Sequence, residues 1–307
     1  MSKLPTHIRM EQAYLSFVWW NTSLSPPLKS KRGKANNESL NNVCSAIEIL
    51  IFLHYDFICL GEVCDEDIDF IDNKLSLSSL GYSIVKGAKK LNRSYFDTCI
   101  IHKKEHLLVP VLGENTKYLA FDSGTNQLKI ATKFYFQLSE PFNSDLVVYL
   151  SHWPSKLKDN YLNTGSISER CRIDIEMQME SVENIILMGD YNVEPYEDAI
   201  VHNLQTSRDK DIVLAKPAVF YNPCWKFLIE SSEPYEANNM GTYFYSSGRF
   251  HRKLVLDQII FSSSFLKGNW IFKDEYVNIL SIDKLLSISS KVSDHLPISA
   301  VVGRKII

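Results

Sequence analysis

The six cysteines form no C-x-x-C pair, which removes the usual frame of a structural zinc site. Several of them lie in apolar runs, where a buried thiol behaves as a small hydrophobe. The chain has no Pro/Gly/Ser-rich linker and no internal repeat. Its 307 residues are therefore expected to form one domain over 1–307, although length alone would allow two. No apolar stretch reaches the roughly 20 residues that span a bilayer. The polar residues 1–12 lack the apolar segment of a secretory signal. Neither a membrane contact nor export is expected, and the cytoplasm is the expected location. Positive charge is not in excess, since 33 Lys and Arg face 36 Asp and Glu for a net −3. That excludes a protein held on nucleic acid mainly by bulk charge. It does not exclude an enzyme with a local basic surface and a metal at the reacting phosphate.

Apolar residues are plentiful at 45%. A chain of this size can bury roughly 75% of its unfolded surface, so a large core is expected. The first strand is read over 13–20, ending at Asn21. Val43, Ala46, Ile47, Leu50 and Ile51 then repeat at helical spacing. The short run Phe57-Ile58-Cys59-Leu60, bounded by Gly61, suits a buried strand, with Glu62 just past its end. A short helix is expected from Asp65. Residues 82–150 read mostly as strands, with 95–101 and 107–112 flanking the charged turn Lys103-Lys104-Glu105. Ser166 and Glu169 have capping-box spacing, which predicts a helix from there toward Val182. The run Ile185-Ile186-Leu187-Met188 is closed by Gly189, and Pro195 is a candidate helix opener. Segments 255–261 and 298–302 read as strands. Many strands with a few helices between them point to a layered α/β sandwich.

Polar groups fall at the ends of these apolar strands, where a rigid element can fix a catalytic atom. Six segments stand out: Trp19-Trp20-Asn21, Leu60-Gly61-Glu62, Ser151-His152-Trp153, Gly189-Asp190-Tyr191-Asn192, Leu256-Asp257-Gln258 and Ser293-Asp294-His295. Each has a plain structural explanation when taken singly. Asn21 can cap a turn, Glu62 can be a solvated strand-end acid, and Asp190 and Asn192 are ordinary turn residues. Asp257 in an apolar strand is harder to dismiss, because an unpaired buried carboxylate is costly.

Taken in this order the segments resemble the endonuclease/exonuclease/phosphatase superfamily, which includes pancreatic deoxyribonuclease, abasic-site endonucleases, sphingomyelinases and inositol-polyphosphate 5-phosphatases. The resemblance covers nearly the whole chain, from Tyr14 to Val302, and is strongest at Gly-Asp-x-Asn and Ser-Asp-His. It implies a four-layer α/β sandwich, in which two packed, mainly antiparallel β-sheets are flanked by helices. It also implies a metal-dependent phosphodiesterase. Glu62 would be the principal ligand of Mg2+, with Mn2+ able to substitute, supported by Asn21 and Asp294. His295 would be the base, or the cation that stabilises the pentavalent phosphate, oriented by Asp257. His152 would face the leaving oxygen, while Asp190 and Asn192 would position the nucleophile and the phosphate. Two departures stand out. Leu60-Gly61-Glu62 replaces the frequent Leu-Gln-Glu, and Gln258 follows Asp257 where an aromatic or His is common.

Hydrolysis of a phosphodiester asks for such groups: charge on a nonbridging oxygen, an activated water, and a proton for the leaving oxygen. Magnesium prefers oxygen donors and keeps several waters, so one or two carboxylates suffice. Nucleic acid, DNA before RNA, is the expected substrate. Lys31 and Arg32 lie in a basic loop. Trp225 and Tyr243 accompany Arg249 and Arg252, and aromatic residues beside basic ones suit a nucleic-acid strand. The bland reading of Trp225 and Tyr243 is core packing. The segment is similar to one in uncharacterised bacterial members of the superfamily. The alternatives are a phosphatase or phosphodiesterase for a small molecule or lipid headgroup, and a non-catalytic protein retaining the fold.

Overall fold

The computed structural model describes residues 12–26, 33, 35–92, 94–105, 107–108, 116–123, 126–155, 161–229, 241–245, 247–248, 252–282 and 292–306. In chain order the strands begin with β1 (Gln12–Asn21), β2 (Phe57–Gly61), β3 (Tyr82–Lys86), β4 (Lys89–Leu91), β5 (Ser94–Phe96) and β6 (Thr98–Lys103). They continue with β7 (Leu107–Leu108), β8 (Thr116–Ser123), β9 (Asn126–Leu138), β10 (Ser144–His152), β11 (Asn184–Asp190), β12 (Thr206–Ser207) and β13 (Phe220–Tyr221). The last are β14 (Tyr243–Phe244), β15 (Lys253–Leu254), β16 (Asp257–Phe261), β17 (Trp270–Phe272), β18 (Asn278–Ile279) and β19 (Ile298–Lys305). The α-helices are α1 (Asn37–Phe52), α2 (Asp65–Leu75), α3 (Tyr161–Met179) and α4 (Lys210–Ala215).

Two sheets carry the fold. One runs β17-β19-β1-β2-β6-β3, and the other β12-β13-β16-β11-β10-β9-β7. Each has a parallel pair at its centre, β1 with β2 and β10 with β11, flanked by antiparallel neighbours. A parallel pair needs a long crossover, and α1 and α3 supply the two. Three separate apolar clusters show the layering. Phe17, Trp19, Phe57, Phe134, Val148, Ile186 and Ile259 pack between the sheets. Val43, Ile47 and Leu50 of α1 and Ile68 and Ile71 of α2 cover the outer face of the first sheet. Ile167, Cys171 and Ile175 of α3 cover that of the second. The result is a four-layer α/β sandwich. All six cysteines are free and buried. Among the described residues no helix is long and apolar enough to cross a membrane.

Several boundaries differ from those read in the sequence. The helix expected from Ser166 begins at Tyr161. Gly165 makes the first turn look broken, yet Ser168 Oγ bonds its carbonyl at 2.8 Å inside the helix. Pro195 lies in a turn, and the helical segment beyond it is a π-turn over Ala199–Asn203. Cys64, not Asp65, is the cap of α2, and the Asp67 carboxylate takes the Cys64 N–H at 3.0 Å. The 95–101 strand is interrupted at Asp97, between β5 and β6.

Candidate active site

Strand direction brings the polar ends together. The C-terminal ends of the parallel strands place Asn21, Glu62, His152 and Asp190 at one end of the sandwich, where open α/β sheets hold their ligands. The antiparallel neighbours begin there. Gly61 pairs with Thr98, next to Asp97, and Asp190 pairs with Asp257. His295 lies just ahead of β19, the antiparallel neighbour of β1. Close strand contact at this end requires glycine at Gly189, where a Cβ would sit 2.2 Å from the Ser151 carbonyl oxygen.

Two histidine–carboxylate pairs face each other across the site. His295 Nδ1 lies 2.7 Å from Asp257 Oδ2, and its Nε2 is 3.7 Å from Asp190 Oδ2. His152 Nδ1 lies 2.7 Å from Asp97 Oδ2, and its Nε2 is 3.5 Å from Glu62 Oε1 and 4.0 Å from Asp190 Oδ2. Asn21 Nδ2 donates to Asp190 Oδ2 at 3.2 Å, and Asn192 N donates to Asp190 Oδ1 at 3.0 Å. Asn192 Nδ2 in turn donates to the Trp153 carbonyl at 2.8 Å, which ties the Asp190 loop to the end of β10. Three site segments contain a non-glycine residue with positive φ: Ser23 at 56°, Glu62 at 54° and Asn192 at 53°. Asn tolerates this region, but Glu does not favour it, and such conformations collect at functional sites.

The electrostatics are those of crowded carboxylates. Burial raises the pKa of Glu62, with Asp97 and Asp190 pushing the same way against His152. Burial also raises that of Asp190, helped by Asp257 and opposed by His295. For His295, burial opposes the charge, but Asp257 and Asp190 outweigh it and lift the pKa to about 10. For His152, burial likewise opposes the charge. Asp97 overcomes it, and Lys129 pulls the value partly back.

The oxygen donors suit a hard divalent cation. Burial and the like charge of Asp97 and Asp190 raise the pKa of Glu62, and a cation beside it would relieve that cost. Asp190, Asp257 and His295 also bring ligand-type atoms within 4.8 Å of one another. Two of that trio are hydrogen-bonded to each other, and Asp257 Oδ1 accepts from Trp19 Nε1 at 2.8 Å. Asp257 therefore has both oxygens engaged within the protein.

Solved structures share this arrangement of strands and helices. D. rerio TDP2 complexed with single-strand DNA product matches with a TM-score of 0.61 at 16% identity, over 94% of this chain and 99% of that one. The human Nocturnin catalytic domain with bound sulfate matches at 0.60 and 16%, over 95% and 97%. An endonuclease/exonuclease/phosphatase family protein from Bacteroides thetaiotaomicron matches at 0.62 and 11%, over 96% and 97%. The chain has the endonuclease/exonuclease/phosphatase fold. No family model and no curated protein matches its sequence.

Within that fold the remaining residues singled out in the sequence fall in different places. Asp294 is exposed at the rim, and its Oδ1 accepts from Ser23 Oγ at 2.5 Å. The Tyr243 ring lies against the His295 imidazole, with centroids 4.6 Å apart, and stacks toward Tyr245. Arg252 is exposed on the same hairpin, where its carbonyl accepts from Tyr245 N at 2.7 Å. Trp225 is half-buried in the turn Pro223–Leu228, with the Arg208 guanidinium 4.9 Å over its ring. That ring face is already covered by the chain itself. Lys31, Arg32 and Arg249 lie outside the described residues.

The supporting roles of four residues were not read in the sequence. The buried Asp97 pairs with the half-buried Lys129 behind His152. Trp19 stands behind Asp257. Thr242 Oγ1 accepts the N–H groups of Leu256 and Asp257 at 3.1 and 3.0 Å, while its carbonyl takes Leu296 N at 2.7 Å. Asp97 carried a signal, since it is an acid inside an apolar run, the same anomaly that marked Asp257.

Proposed function

We propose that the protein belongs to the endonuclease/exonuclease/phosphatase superfamily and is a divalent-metal-dependent phosphodiesterase that hydrolyses nucleic acid, DNA in preference to RNA, with the whole chain serving as one catalytic domain. The observation that carries this reading is the convergence of two buried His–Asp pairs on one carboxylate. Both Nε2 atoms point toward Asp190 Oδ2, at 3.7 and 4.0 Å, with Glu62 beside His152 at 3.5 Å.

Glu62, supported by Asn21, would hold Mg2+ or Mn2+, which supplies positive charge at a nonbridging phosphate oxygen. Asp294, at the rim, would orient water entering that ion's surroundings. The remaining chemistry belongs to this chain's side chains. Asp190, made more basic by burial and by Asp257, accepts the proton of the attacking water. The water oxygen bonds to phosphorus as the ester P–O bond opposite it breaks. His295, held as an imidazolium by Asp257 and Asp190, donates a hydrogen bond to the charged pentavalent phosphate. His152 gives its proton to the departing oxygen. Asn192 steadies Asp190 through its backbone N–H. Tyr243 and Arg252 share a hairpin beside His295, which suits contact with the strand flanking the reacting phosphate. Lys31, Arg32, Trp225 and Arg249 are assigned to the same strand from their sequence context.

The test is a substrate panel of plasmid, single-stranded DNA, abasic duplex, RNA and soluble phosphoesters, with Mg2+ or Mn2+ and with excess chelator. Polynucleotide cleavage that chelator abolishes is the expected result. Faster turnover of small phosphoesters than of any polynucleotide would move the reading to a small-molecule phosphodiesterase.

A further inference from the structure

Asp257 is fully buried, so each carboxylate oxygen needs a partner. Its Oδ2 faces His295 Nδ1. Its Oδ1 accepts from the indole Nε1 of Trp19 at 2.8 Å, across from the other sheet. A carboxylate held at one oxygen alone can rotate about its last bond. Held at both, its plane is fixed relative to the imidazole. The indole is also a neutral donor, so the negative charge of Asp257 is not shared with a second cation.

Trp19 reaches Asp257 because of what β2 lacks. A Cβ at Gly61 would sit 2.7 Å from Trp19 Cη2 and 2.9 Å from Cζ2, closer than carbon atoms tolerate. Gly61 does not have positive φ. The glycine is therefore required by the indole's space and not by backbone conformation. Trp19 is itself fully buried and packed in the core between the sheets, so it has no free space into which to retreat. The missing side chain at position 61 and the large ring at position 19 are one feature.

We propose that Trp19 is a positioning residue of the reaction, whose indole N–H fixes the Asp257 carboxylate against His295, and that Gly61 supplies the space this contact needs. The proposal rests on the reading of Asp257 and His295 as part of the catalytic site. Trp19 touches neither substrate nor metal. It acts through Asp257.

The test removes the N–H in two ways. An isosteric benzothienylalanine placed at position 19 keeps the ring volume and deletes the donor. Gly61→Ala leaves Trp19 intact and displaces its ring. Both are expected to lower kcat about tenfold, the order of one hydrogen bond to a charged group, with KM unchanged. Both should also shift or broaden the low-field proton resonance of the His295 Nδ1–Asp257 bond. In an Asp257→Asn background neither should lower kcat further. Trp19→Phe is expected to give the same pattern with an added loss of thermal stability from packing. If that variant fails to fold, the isosteric replacement decides. Wild-type kcat with an unmoved proton resonance overturns the proposal, and so does a loss that adds in full to that of Asp257→Asn. If the protein hydrolyses no phosphoester, the proposed function fails, and the proton resonance alone still decides whether Trp19 sets the Asp257–His295 contact.

Discussion

The two histidine–aspartate pairs have nearly the same geometry and different surroundings. Both aspartates are fully buried, and both carboxylates lie 2.7 Å from a histidine Nδ1. The second oxygen of Asp257 is bound by a neutral indole, whereas that of Asp97 is bound by the Lys129 ammonium. A cation behind the carboxylate competes for its charge and also repels a proton on the histidine in front. Hence His295 is lifted to about 10, while Lys129 works against the charge on His152. One motif, backed by two different donors, raises both histidines, and only at His152 does a lysine oppose the charge.

Removing the proposed metal or its principal ligand should have the largest effect. Glu62→Gln, or excess chelator with the wild type, should reduce turnover to background, and excess Mg2+ or Mn2+ should restore only the wild type. Circular dichroism should show the fold intact. Full activity in chelator would contradict the metal assignment. Next in size, His295→Ala should cost the roughly 10²–10⁴-fold typical of a group that moves or stabilises a proton. His152→Ala should cost less on substrates with an acidic leaving group, which need no proton. A leaving-group series read as kcat/KM separates the two histidines, and equal losses across the series would remove the distinction between them.

The comparison sharpens in the metal-free protein. Lys129→Met should raise the pKa of His152, since Asp97 then serves it alone. His295 should titrate near 10 in the wild type and fall in Asp257→Asn. The linkage follows from the direction of the shift. A folded-state pKa above the unfolded value of about 6.5 contributes stability fully present below pH ~6.5 and lost as pH rises toward 10. Melting of the metal-free wild type and of Asp257→Asn across that range should converge as pH rises. Divergence would contradict the assignment. The smallest effect is on substrate grip. Replacing Lys31, Arg32 and Arg252 with Ala should flatten the dependence of KM on salt by up to ~0.9 log units per log unit for each phosphate of duplex DNA that these side chains neutralise.

Much of the site was legible because its residues end strands, and strand ends are marked by a change from apolar to polar. Asn21, Glu62, His152 and Asp190 carry that mark. So does Asp257, as an acid beside an apolar run. What supports these residues was not legible. Lys129 sits on β9, a strand whose described residues are mostly buried, and only packing of one sheet on the other shows that it meets Asp97. Trp19 reads as a core aromatic, which it also is, and nothing local reveals that its N–H is aimed at residue 257. Gly61 read as a lost amide, and the structure gives it a use as space for the indole. The basic loop around Lys31 was judged from charge alone. Trp225 was judged from its aromatic neighbours, and Arg208 covers one of its faces.

The central claim is that Asp257 acts through His295, 38 positions away in sequence. A double-mutant cycle of Asp257→Asn and His295→Ala on kcat/KM tests it most directly, with folding checked by circular dichroism. The account predicts strong non-additivity, with the double variant little worse than His295→Ala alone. Losses that add would mean the two residues work independently, and the paired-histidine account of the site would be contradicted.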